Sequence, residues 1–122
     1  MTVSPSSRHD LVSMGRTGVD VYPLEHGVAL EDVQTFQKFL GGSATNVAVA
    51  AARHGHSVAL VTKVGDDPFG RYVRREAAHL GVDPRHISTI EGAGPPTPVA
   101  FCEVFPPDNF PLYFYRHPTA PD

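Results

Sequence analysis

Residues 41–65, GGSATNVAVAAARHGHSVALVTKVG, constrain the fold more than any other stretch of the chain. A glycine pair leads into an Ala- and Val-rich segment, Gly55 interrupts it, and a run of β-branched residues follows up to Gly65. Ser43 or Thr45 is placed to cap a helix through NVAVAAARH, and Gly55 supplies the left-handed residue that ends it. The apolar residues of that helix spread around most of its circumference, so it is expected to lie buried between layers. The SVALVTKV that follows is a continuous apolar run, the pattern of a strand inside a parallel sheet. A helix and a buried strand joined by a short connection predict an α/β fold.

The flanking segments extend this reading. DLVSMG, residues 10–15, reads as a short buried strand ending in a glycine turn. Between Arg16 and Leu40 the pattern is weaker: VDVY alternates, while VQTFQKFL suits a strand and a short helix equally. Asp67 followed by Pro68 is a helix start, with a capping side chain and then a fixed φ. Phe69, Tyr72, Val73, Ala77 and Leu80 form its apolar stripe, with Glu76 as the misfit and Gly81 as the stop. Residues 92–98, GAGPPTP, are a proline-rich loop, after which TPVAFCEVF and LYFYR flank the turn PPDNFP as an antiparallel hairpin. The expected architecture is a largely parallel sheet with flanking helices and an antiparallel β lid.

Composition narrows the classes. A chain of 122 residues suits one compact domain, and 41% hydrophobic with 19% charged residues is ordinary for a globular protein. Ten Lys and Arg against thirteen Asp and Glu give a net charge of -3, without the basic balance that nucleic-acid binding requires. Cys102 is alone, so no internal disulfide and no CxxC metal or redox pair can form; a reducing, cytoplasmic setting and no metal site are expected. MTVSPSSRHD lacks the apolar stretch of a signal peptide, and residues 1–9 are expected to be a disordered leader ahead of a folded part at 10–122. The apolar runs are too short to span a bilayer, so no membrane partner is expected.

Three places offer chemistry. In GGSATN the paired glycines admit close backbone approach, the helix start offers N–H groups, and Asn46 adds an amide that donates and accepts. That set suits a polyhydroxylated ligand, and equally a plain glycine turn before a helix. Asp20, in GRTGVD, taken alone reads first as a solvated turn residue; as a carboxylate it would grip neighbouring hydroxyls. Arg116, ending LYFYR, is either a surface residue at a hairpin end or a guanidinium for a carboxylate or keto-acid oxygen. Two look-alikes fail. GDDPFGRY, residues 65–72, imitates a phosphate loop, but Arg71 and Tyr72 replace its Lys and hydroxyl residue, and Pro68 lacks an N–H. The GAG at 92–94 is followed by Pro95 and Pro96, which delete the donors an anion hole needs.

Gly41, Gly42, Ala44, Asn46, Ala48, Gly55 and Gly65 coincide with the first signature of the ribokinase-like (PfkB) carbohydrate kinases, which this chain resembles over nearly all of residues 10–122. The resemblance implies that Gly41, Gly42 and Asn46 bind sugar hydroxyls and that Asp20 holds the sugar. GRTGVDVYP, GGSATN, VGDDPFGR and FPLYFYR are most similar to the branch of 5-dehydro-2-deoxygluconokinases of inositol catabolism. GGSATN in place of GGKGAN leans away from plain ribose, and a Tyr-Arg pair near Arg116 is similar to that of kinases for keto-deoxy sugar acids. Arg16, Phe101 and Tyr115 are weaker candidates for the substrate or the lid.

The family's reaction, as the resemblance implies it, is ATP- and Mg²⁺-dependent phosphoryl transfer to a sugar hydroxyl. Its general-base Asp and its ATP site belong to a second signature that these residues lack. No catalytic residue is therefore expected in this chain, ATP and Mg²⁺ are not expected to bind it fully, and a fragment inactive by itself and unstable at an open sheet edge is anticipated. The partner implied is a sugar or keto-deoxy sugar, with a homodimer formed through the lid strands. Other readings are a 2-keto-3-deoxygluconate kinase, a ribokinase- or fructokinase-type enzyme, a non-catalytic sugar-binding or interaction module, and a damaged reading frame without a cellular role.

Overall fold

The computed structural model describes residues 8–122. Residues 1–7 of the anticipated leader lie outside the described residues, whereas His9 is held by Ser57 Oγ at 3.3 Å and by Asp83 at 3.1 Å.

Two four-stranded sheets make up the fold. The first is wholly parallel and centred on β4 (Val58–Gly65), which is buried along its length apart from the half-buried Val61 and the exposed Lys63. β1 (Leu11–Met14) pairs along one side of β4. The short β5 (Val82–Asp83) and β6 (Ile87–Ile90) pair in succession along the other, separated by a 3-10 turn at Pro84–His86. The second sheet runs β3-β2-β7-β8. In it β2 (Gly18–Pro23) is antiparallel to β3 (Phe36–Gly41) and parallel to β7 (Val99–Cys102), which is antiparallel to β8 (Leu112–Tyr115). The expected hairpin is thus one half of the lid sheet. Of VQTFQKFL, residues 36–40 resolve as strand, since β2 offers six consecutive pairing positions from Phe36 to Gly41, while residues 33–35 precede it.

Val19 and Val21 of β2 join Leu60 and Val64 of β4, Ala48 of α1 (Ser43–Arg53), and Val73 and Ala77 of α2 (Pro68–His79) in one core. Each fully buried Val or Leu here contributes about 1.5–3 kcal/mol relative to exposure.

Three expectations are corrected. The residue capping α1 is Gly42, with φ 103°; Ser43 and Thr45 lie inside the helix, and the Thr45 hydroxyl instead donates to Thr17 Oγ1 at 3.0 Å. Gly55 does end α1, through paired bonds from Gly55 N to Ala52 O and from His56 N to Ala51 O, at φ 88°. α1 is not enclosed between layers: it packs along β1 and β4, and Val47 remains 53% exposed. In α2, Gly70 takes the buried place expected of Phe69, which is 39% exposed. A Cβ at Gly70 would strike the Gly65 carbonyl, so a glycine there lets the helix descend onto β4.

Candidate functional site

The site is built where the lid sheet leaves the parallel sheet. Asp20 sits within β2, not in the solvated turn its sequence context suggested. Strand alternation places Asp20, Gly18 and Tyr22 on one face, while Val19 and Val21 enter the core on the other. Register adds Phe39 and Gly41 of β3, Ala100 and Cys102 of β7, and Phe114 of β8 to the Asp20 face.

Both glycines of the pair are then explained. A Cβ on Gly41 would fall on the Asp20 carboxylate, so only glycine lets that side chain lie across the end of β3. Gly42 has φ 103°, and a Cβ there would meet the carbonyl of Arg16. The buried bond between Thr45 and Thr17 fixes the first turn of α1 against the segment joining β1 to β2. No side chain caps α1, so its leading N–H groups remain available beside the glycines. Asn46 is exposed one turn further on.

Two recesses meet at Asp20. One, of about 60 Å³, is lined by Arg16, Gly42, Ala100, Phe114 and Arg116 besides Asp20. The other, of about 390 Å³, is lined by Asp20, Tyr22, Phe39, Leu40 and Asn46. Burial pushes the Asp20 carboxyl above its ordinary value of 3.8, and among the described residues no hydrogen bond or cation brings it down. A half-buried carboxylate without a protein donor is suited to accept from ligand hydroxyls. The Arg116 guanidinium lies over the Phe114 ring, 4.0 Å from its centroid, and this stacking aims it at the same recess.

The weaker candidates separate from this group. Arg16 lines the recess, but its guanidinium pairs with Asp122 and donates to the Arg116 carbonyl at 3.4 Å, so it braces the wall. Phe101 and Tyr115 do not reach the Asp20 face. Their register sets them with Val99 and Val21 on the opposite side, where Phe101 packs edge-to-face on Phe36 and Tyr115 at 5.9 and 5.6 Å. They belong to the Val21 face of the lid, where Phe101 also packs against the core. Tyr22, Phe39 and Phe114 were missed by sequence reasoning; counting in twos from Asp20 along VDVY would have found Tyr22.

Neither of the two look-alike segments forms a triphosphate cradle. At Gly65–Tyr72 the Asp67 carboxylate itself takes the Gly70 N–H at 2.7 Å, the Thr97 N–H at 2.9 Å and the Thr97 hydroxyl at 2.8 Å. A carboxylate filling the helix start repels a phosphate and consumes its donors. The GAG at 92–94 is irregular loop. Among the described residues no group of three or more His, Cys, Asp or Glu could hold a metal ion, and no helix is long and apolar enough to cross a membrane.

Known proteins match this arrangement along nearly the whole chain. A 5-dehydro-2-deoxygluconokinase of Lacticaseibacillus casei is 34% identical over 113 residues, covering 93% of this chain and 34% of its own length. One from Photobacterium profundum is 40% identical over 99 residues, covering 81% of this chain and 30% of its own. Among solved structures, an uncharacterized sugar kinase from Pyrococcus horikoshii in complex with ATP is similar at TM-score 0.81 and 32% identity, over 91% of this chain and 35% of that one. A PfkB protein from a Polaromonas species matches at TM-score 0.84 and 27% identity, over 93% of this chain and 37% of that one. The chain spans about a third of the length of these relatives. With residues 8–121 matching the pfkB family carbohydrate kinase profile, the chain belongs to that family.

Proposed function

We propose that this chain is the sugar-holding part of an ATP-dependent carbohydrate kinase whose substrate is a keto-deoxy sugar acid, 5-dehydro-2-deoxygluconate first among them. The observation that carries this reading is the convergence of Asp20, Gly42 and Arg116 on one recess. Asp20 supplies a charged acceptor for hydroxyls, and the glycine pair lets the sugar approach the uncapped start of α1. Arg116 supplies the cation that a sugar acid needs and a neutral sugar does not. The curated relatives carrying the name 5-dehydro-2-deoxygluconokinase support the same substrate class.

In this reading the chain's residues bind and orient the sugar, and the lid sheet excludes water from it. The phosphoryl group comes from ATP held by other residues, since the Asp67 turn is closed to phosphate. The chain alone therefore binds sugar without turning it over.

Calorimetry on the purified chain tests this directly. 5-Dehydro-2-deoxygluconate is expected to bind more tightly than ribose or fructose, and Arg116→Ala to remove that preference. A clear preference for ribose would defeat the substrate class. ADP release by the chain alone, with ATP and the sugar acid supplied, would defeat the division of labour.

A further inference from the structure

The larger recess beside Asp20 has a wall that the proposed sugar contacts leave unused. Tyr22 follows Asp20 by two residues in β2, so both side chains rise from one face about 6.6 Å apart along the strand. Val21 between them is buried in the core, which leaves this strand no freedom to turn Tyr22 away. Phe39, directly opposite Asp20 in β3, meets the Tyr22 ring edge-on at 5.5 Å and holds it in place. The polar groups on this wall are the Asp20 carboxylate, the Tyr22 phenol and the Asn46 amide. Arg116 lies in the other recess, on the far side of Asp20.

From this placement we infer that Tyr22 is a specificity-determining residue of the sugar site, its phenol donating to an oxygen of the six-carbon sugar acid on the side of Asp20 away from Arg116. The inference rests on the sugar-acid reading above and extends it. A substrate gripped by its carboxylate at Arg116 and by a hydroxyl at Asp20 continues into the recess that Tyr22 lines. A five-carbon sugar gripped at Asp20 needs nothing from that wall. Burial, and then the charge of Asp20, push the phenol above its ordinary value of 10.0, so it stays protonated and serves as a donor.

Tyr22→Phe keeps the ring and its contact with Phe39 and removes only the hydroxyl. Calorimetric titrations of the wild-type and variant chains with 5-dehydro-2-deoxygluconate and with ribose read the effect. The expected result is an affinity loss of about fivefold for the sugar acid, the size of one neutral hydrogen bond, with ribose binding and the melting temperature unchanged. An unchanged sugar-acid affinity, or equal loss for both ligands, overturns the assignment. Asp20→Asn and Asn46→Ala serve as controls. If they weaken sugar binding while Tyr22→Phe does not, only the Tyr22 inference fails. If neither moves binding, or the wild-type chain binds no sugar, the sugar-site reading fails and this inference with it.

Discussion

Asp20 lies against Gly41 in a place where a carboxylate is costly to the fold and useful to a ligand. Burial raises its pKa above 3.8, so the ionised form is penalised in the folded chain. That penalty is absent below the unfolded value and grows as pH rises through the folded one. Asp20→Asn should therefore raise the urea midpoint at pH 7 and leave it unchanged near pH 3. The same substitution should weaken sugar binding by tenfold or more, because a hydrogen bond to a charged acceptor contributes roughly 1.5–3 kcal/mol. A variant less stable than wild type at pH 7 would contradict the account. The four glycines of residues 41–65 that the sequence singled out do different work. Gly41 and Gly42 make room for Asp20 and Arg16, Gly55 ends a helix, and Gly65 admits the Asp67 carboxylate and the Pro95–Thr97 backbone.

At the scale of elements, Asp67 joins parts that are distant in sequence. One oxygen caps α2 through Gly70, and the pair together bind the backbone and hydroxyl of Thr97, which in turn accepts from the Gly65 N–H at 3.0 Å. The start of α2, the end of β4 and the entry to lid strand β7 are thereby fixed to one side chain. Burial raises the Asp67 pKa, and the bonds from Thr97 and Gly70 outweigh it, so the net direction is down. Its stabilisation is fully present above the unfolded value of 3.8 and is lost as pH falls through the depressed folded value. Asp67→Ala should cost about 1–2 kcal/mol from the cap alone, read by denaturant unfolding at pH 7. It should also raise amide exchange at Thr97, which loss of a helix cap alone would leave unchanged. The cap was legible in the Asp-Pro pair of the sequence. The bond to Thr97 was not, because nothing local marks a partner thirty residues away.

The whole molecule presents two apolar surfaces. β1 ends the parallel sheet, and on its outer face Val12 and Met14 are 59% and 78% exposed. On the Val21 face of the lid, Phe36, Tyr113 and Tyr115 are 40%, 45% and 66% exposed. Exposed patches of this kind associate. If the lid pairs two copies, as the family resemblance implies, light scattering should record a concentration-dependent dimer that Tyr115→Lys weakens and Met14→Lys leaves intact. The reverse pattern would assign association to the bare sheet.

The sequence by itself determined the family, the α/β class and the β4 and α2 segments. Those features are local: glycine spacing, a cap followed by proline, and an uninterrupted apolar strand each carry their own physical signature. Tertiary structure decided which face each lid residue shows. Asp20 became a strand residue only because β3 and β7 pair along both sides of β2. Register across those strands brought Tyr22, Phe39 and Phe114 beside it and sent Phe101 and Tyr115 to the other side. Strand pairing joins residues far apart in the chain, and a one-residue shift would reverse every face. No single segment contains that information.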